Sequence, residues 1–179
     1  MAPHWFRIGS LEILAKKGET KELNLLVDFI LTNHFAHVKQ ENRDDWILAM
    51  FAGKYAIMIY LYYNNNMLIY FLLFSQIKNE FFFLSEIVDS TAKMVASWMS
   101  VGFTHGVLNT DNLSLASITI DYGPFGFLEA YDPNYIPNHS DDSGRYDYES
   151  QPEICFWNLD KLATALTPIL SNTKHQQLR

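Results

Sequence analysis

Cysteine is almost missing from this chain, with Cys155 standing alone. One thiol can neither close a disulfide framework nor supply a zinc cluster, which excludes a stapled scaffold and a zinc module built from this chain. A reducing compartment, or indifference to redox state, is the consequence. Positive charge is scarce as well. Lys and Arg total 13 against 20 Asp and Glu, and the net charge of -7 leaves no basic footprint for nucleic acid. Long apolar runs are also lacking. The stretch 51–83 is rich in Phe, Tyr, Ile and Leu, but Lys54 and Asn64-Asn65-Asn66 break it below the ~18 residues a membrane helix needs. The opening MAPHWFRIGS has no apolar signal core and no Arg/Ser-rich amphipathic presequence. Before Gly102 there is no Gly-rich phosphate loop and no strand lysine with a partner glutamate.

What is present describes a folded chain. Hydrophobic residues make up 49% and charged residues 18%, which excludes a disordered polymer, and 179 residues suffice for one modest domain. Glu19 to Phe35 reads as an amphipathic helix capped by Thr20, with Leu23, Leu26 and Ile30 joined by Leu25 and Phe29 in its apolar stripe. His34 and His37 follow with no third ligand near in sequence, so they read as core or surface histidines. Ser85 to Val101 reads as a second helix. Its stripe is Ile87, Met94, Val95, Trp98 and Met99, Asp89 and Lys93 pair at i,i+4 on the surface, and Gly102 stops it. Acidity gathers in 129–153, where Asp132, Asp141, Asp142, Asp147 and Glu149 face only Arg145. No calcium-loop spacing is present there, and a solvated loop is the reading. Ile154 to Trp157 reads as a short apolar run. Asn158 is then expected to cap a last helix carrying Leu162, Leu166 and Ile169, broken near Pro168, with a polar tail after Ser171.

The chemistry-bearing stretch is GFTHGVLNTDNLSLASITIDYGPFG, from Gly102 to Gly126. Two acid-bearing turns, Asn109-Thr110-Asp111-Asn112 and Asp121-Tyr122-Gly123, are joined by Leu113 to Ile120. Two brief strands burying Leu113, Leu115, Ile118 and Ile120 would hold both turns at one end of a small sheet. Asp111, Asn112 and Asp121 would then converge. Two carboxylates and an amide oxygen suit a hard cation such as Mg²⁺, which takes oxygen ligands and leaves part of its sphere to phosphates. Protein kinases set a catalytic Asp, a metal-binding Asn and an Asp-Phe-Gly aspartate in this order. On their own, Asp-Asn pairs in turns serve as caps and Asx-turns. His105 reads as a brace for the loop, Tyr122 as packing, and Arg7 as a surface cation.

HGVLNTDN, then TIDYGPFGFLEAYDP, NHSDDSGRY and WNLDKLATAL, resembles the SelO family of kinase-like protein adenylyltransferases over roughly Asp89 to Leu166. A weaker match covers Ala2 to Phe35, where APHWFRIGSLE resembles the family's Arg-Phe-Gly-x-x-Glu segment. The resemblance implies an α+β, mostly helical fold like a kinase C-lobe, with a small β-hairpin carrying the catalytic and metal-binding loops. It implies Asp111 as the catalytic base, Asn112 and Asp121 as ligands of Mg²⁺ (Mn²⁺ being the alternative), and Arg7 and Asp121 as contacts to the nucleotide. ATP would be the co-substrate, and Ser, Thr or Tyr hydroxyls of proteins the acceptors of AMP. Neither nucleic acid nor membrane is an expected partner. The animal members imply mitochondrial residence.

Set against the family, the chain reads as 1–50, an N-terminal part; 51–83, an insertion whose bias resembles translated AT-rich non-coding DNA, as from a retained intron; 84–170, the catalytic-loop region; and 171–179, a frayed tail. The family's nucleotide-gripping lobe, a further arginine upstream of Met1 and its later helices are expected to lie outside the chain. Two other readings stay open. One is an inactive fragment acting as a pseudokinase-like binding module, the other a phosphotransferase using the same site.

Overall fold

The computed structural model describes residues 4–35 and 82–176. Among them are four helices, α1 (Ile8–Lys17), α2 (Thr20–His34), α3 (Phe82–Ser100) and α4 (Gln151–Gln176). One two-stranded antiparallel sheet joins β1 (Phe103–Thr104) to β2 (Gly126–Phe127), with Phe103 opposite Phe127 and Thr104 opposite Gly126. The fold is thus mixed α/β and mainly helical. It divides into two compact units, Met1–Ser10 with Asp89–Lys161, and Leu11–Val88 with Leu162–Arg179. Most of the anomalous stretch, 51–81, and His37 lie outside the described residues. No helix among the described residues is long and apolar enough to cross a membrane.

In the second unit, α1 ends at Gly18, whose φ of 71° suits a residue without Cβ. Gly18 N–H donates to Ala15 O and Glu19 N–H to Leu14 O, the paired bonds of a Schellman stop, with Lys16 and Lys17 in the last turn. The sequence reading had no helix here. α2 then buries Leu23, Val27, Ile30 and Leu31, a stripe at i, i+4, i+7 and i+8. Leu25 and Phe29, expected in that stripe, are 63% and 52% exposed, because their positions point about 120–160° away from Leu23 and Val27. Thr20 does not cap: Glu19 occupies that place without a side-chain bond, and the Thr20 hydroxyl reaches Gly18 O instead.

α4 departs furthest from expectation. It starts at Gln151, seven residues before the expected cap, so Asn158 is interior to the helix. Ser150 O accepts the first helical bond from Ile154 N–H, Asp147 Oδ1 accepts from Ser150 N–H, and Pro152 sits in the first turn, where a missing N–H costs nothing. Pro168 does not break the helix. Leu162, Leu166 and Ile169 are all buried around it, and that burial outweighs the one bond proline removes.

In the first unit, α3 places Val95 against Leu108 of the loop and Ile154 and Cys155 of α4, with Met94, Trp98, Met99 and Tyr146 packed around them. Gly102, at φ 69°, ends the helix and turns the chain into β1. Lys93 and Asp89 pair on the surface of α3 as expected.

Candidate active site

The run Leu113 to Ile120 folds back as a narrow hairpin rather than as two strands. Leu113 bridges Thr119, Ser114 N–H donates to Ile118 O, and Ile120 N–H donates to Asn112 O. The turn between is too tight for a longer ladder, and Ser117 accepts a φ of 51° to close it. Its hydroxyl is held by those of Ser90 and Thr91 at 2.7 and 2.9 Å. The outer edge of the hairpin is taken by the segment before α1. Arg7 bridges Ser114, Leu115 N–H donates to Phe6 O, and Ile8 N–H donates to Leu113 O. Arg7, distant in sequence, therefore stands exposed beside the acid-bearing loop.

The hairpin register sets Asn112 beside Asp121. Asn112 lies opposite Ile120, and one step outward stand Asp111 and Asp121. The Asn112 amide donates to Asp121 Oδ2 at 3.3 Å and to Val107 O at 2.9 Å. Asn112 is 7% exposed, whereas both carboxylates are open to solvent. Asp121 has a φ of 66°, a left-handed backbone that costs an Asp little but still needs support. Asn109 supplies the turn before the acids, its Oδ1 accepting from the N–H groups of Asp111 and Asn112 at 3.0 and 3.1 Å.

Asp111 rests on the first turn of α1. Gly9 N–H donates to Thr110 O, and a Cβ added at Gly9 would run into Asp111 Oδ1. Only glycine leaves the carboxylate that room, at the positive end of the helix.

His105 is fully buried under the hairpin, with its ring 5.1 Å from that of Tyr122 and 5.8 Å from that of Trp98. Its Nδ1 accepts from Val107 N–H at 3.3 Å, and Nε2 has no hydrogen-bond partner of good geometry. Burial holds its pKa below the ordinary histidine value, and the nearby Ile120 carbonyl and the Asp121 charge only partly oppose that. A neutral, locked imidazole is a brace. Tyr122 packs against it, yet is 45% exposed and bonds Thr119 Oγ1 through its hydroxyl at 2.5 Å.

Cys155 is buried and its thiol is pushed up to about 12, so it is an inert part of the core. The donor set at the hairpin end, one amide oxygen and exposed carboxylates, fits a hard cation. The Asn112 amide nitrogen is engaged with Val107 O and Asp121, which leaves its oxygen for a cation. No group of three or more His, Cys, Asp or Glu side chains able to hold a metal occurs among the described residues, so phosphates or water would supply most of the sphere.

Sequence reasoning overlooked the side chains that hold the loop. Gln151 Oε1 accepts from His105 N–H and its Nε2 donates to Phe103 O, each at 2.9 Å. Asn158 Nδ2 donates to Leu108 O at 3.1 Å, and Asn138 Nδ2 to Gly106 O at 3.0 Å. The available signal was Gln151, Ile154, Cys155 and Asn158 at i, i+3, i+4 and i+7, a helical face mixing amides with apolar residues.

Known proteins resemble the chain over nearly its whole length. The sequence profile described as "Protein adenylyltransferase SelO" matches residues 1–178. The "Protein nucleotidyltransferase YdiU" of Photobacterium profundum is 39% identical over 175 residues, 95% of this chain and 29% of the relative. That of Myxococcus xanthus is 37% identical over 171 residues, 96% of this chain and 28% of the relative. Human "Protein adenylyltransferase SelO, mitochondrial" is 61% identical over 88 residues, 49% of this chain and 13% of that protein. The chain therefore spans less than a third of the length of these curated relatives. With its profile match running almost end to end, the chain belongs to the SelO family of protein adenylyltransferases.

Proposed function

We propose that this chain carries the catalytic loops of a protein adenylyltransferase that moves AMP from ATP to Ser, Thr or Tyr hydroxyls of proteins. The observation that supports it most is the hairpin end, where the Asn112 amide meets the Asp121 carboxylate at 3.3 Å with Asp111 one residue away. Asp111 is the general base. Its exposed carboxylate accepts the proton of the attacking hydroxyl while the oxygen bonds to the α-phosphorus. The bond to the β-phosphate oxygen breaks, and pyrophosphate leaves with the electron pair. Asn112 and Asp121 would hold Mg²⁺, or Mn²⁺ in its place, which would neutralise charge on the phosphates. Asp121 meets the nucleotide at that same end. Arg7, exposed beside Ser114, presents a planar fork of donors suited to phosphate oxygens. His105 braces the loop and moves no proton.

The helices around this hairpin correspond in our reading to a kinase-like C-lobe. Residues 84–170 are the catalytic-loop region, 1–50 an N-terminal part and 51–83 an insertion. The names of the mouse and human relatives include mitochondrial residence, and we extend that to this chain.

Incubation with ATP labelled at either the α- or the γ-phosphate, plus Mg²⁺ and a mixture of acceptor proteins, tests the reading. Label transferred from the α position alone is the expected result. Transfer from the γ position alone would make the same site a phosphotransferase, and transfer from neither would reduce the chain to a binding module.

A further inference from the structure

The backbone from Phe103 to Leu108 is held to an unusual degree by side-chain amides. Gln151 takes Phe103 O and His105 N–H, Asn138 takes Gly106 O, Asn112 takes Val107 O, and Asn158 takes Leu108 O. Four carboxamides thus satisfy five backbone polar groups of a largely buried segment whose strand is two residues long. Gln151 is 1% exposed and Asn158 is 0% exposed. They stand two turns apart on α4, with Ile154 and Cys155 between them packed on Leu108.

We propose that Gln151 and Asn158 are positioning residues. Through the backbone of 103–108 they fix Val107 O, which anchors the Asn112 amide, and so set the Asn112–Asp121 pair. A strand partner would hold the segment only along its ladder. The rail on α4 instead grips it at both ends, at Phe103–His105 and at Leu108, with Asp111 and Asn112 three and four residues beyond the grip. Partners that orient a ligand from behind are worth about 10–100-fold in metal affinity or activity. The functional half of this inference rests on the proposed Mg²⁺–ATP site; the structural half does not.

The test uses Gln151→Met and Asn158→Leu, which keep bulk and remove the hydrogen bonds. Gln151→Glu, which keeps the acceptor for His105 N–H, is the rescue variant, and Leu166→Ala is a control that lowers stability elsewhere in α4. Hydrogen exchange at the Asp111 and Asn112 amides is the deciding readout, with Mg²⁺-dependent ATP binding by calorimetry beside it. Expected is exchange at least tenfold faster in both amide-deleting variants, partial recovery in Gln151→Glu, and little change in Leu166→Ala at matched stability. Binding of Mg²⁺–ATP should weaken about tenfold or more in the same two variants. Where Gln151→Met does not fold, Gln151→Glu and Asn158→Leu carry the comparison. Unchanged exchange at 111 and 112, or a change equal to that in Leu166→Ala, overturns the inference. Faster exchange with ATP bound as tightly as in the parent also overturns it. A parent chain that binds no Mg²⁺–ATP refutes the functional reading, while exchange still judges the rail.

Discussion

Two acidic regions of the molecule use the same side chain in opposite ways. In the loop 129–150 three aspartates, Asp132, Asp141 and Asp147, are consumed by the fold. Asp141 accepts from Arg145 and Tyr146 N–H and from the Ser143 hydroxyl, Asp132 from Asn134 N–H, and Asp147 from Ser150 N–H. At the hairpin end the carboxylates are left over. Among the described residues Asp121 receives the Asn112 amide alone, at 3.3 Å, and Asp111 is exposed above a glycine. Acidity alone therefore says little. What separates a structural aspartate from a chemical one is whether backbone N–H groups have already claimed its oxygens.

The sharpest break of this comparison is Asp111→Ala against Asp141→Ala. The first should lower AMP transfer by ~10²–10⁴, about 3–5 kcal/mol of barrier, with the melting temperature nearly unchanged. The second should leave transfer per folded molecule intact and cost about 1–2 kcal/mol of stability, read by denaturant unfolding. Equal behaviour of the two would erase the distinction.

Gly9→Ala is next in size. The new Cβ must push the Asp111 carboxylate aside, and a misplacement of about 1 Å can cost about 10²-fold in rate. Steady-state rates beside thermal melts check this: a rate loss far exceeding the stability loss is expected. Gly18→Ala is the matched control, because its Cβ meets nothing and only the φ of 71° is strained. It should cost about 1 kcal/mol and no rate.

Acid titration reads the turn-bound side of the comparison. Burial, the largest single influence on Asp141, would raise its pKa, but the N–H groups of Tyr146, Arg145 and Ser143 and the Ser143 hydroxyl together bring it below the ordinary carboxylate value. A carboxyl more acidic in the folded than in the unfolded chain adds stability that is complete above its unfolded pKa, near ~3.9, and fades as pH falls through the lower folded value. Asp141→Asn should therefore flatten the acid limb of a stability-against-pH curve.

Much of this was readable from residue order. α3, its stop at Gly102 and its surface pair follow from periodicity and a left-handed glycine, and the turns that carry Asp111, Asn112 and Asp121 follow from their Asn, Asp and Gly residues. What periodicity could not reveal is long-range pairing. Arg7 reaches the hairpin only because residues 6–8 add to its edge, and Gly9 matters only through what lies across from it. Asn158 was misread for a related reason. Local preference places Asn at caps, whereas here a carbonyl fifty residues away, Leu108 O, keeps it inside a helix. α1 was not read from the sequence at all, although Gly9 stands at its second position, where a glycine costs little.

The smallest expected effect belongs to a third kind of carboxylate, neither turn-bound nor left over. Asp89 pairs with Lys93 at 2.5 Å on α3, a short ion pair, with the two side chains 63% and 75% exposed. Distance invites the conclusion that it is strong. Exposure argues otherwise, since solvent and salt screen the pair and both side chains lose rotamer freedom to form it. Asp89→Asn should change stability by about 0.3–0.5 kcal/mol, and the difference should vanish in ~1 M salt. A loss as large as that of Asp141→Ala would mean that proximity of charge, not the claiming of oxygens by backbone donors, governs what an aspartate contributes in this fold.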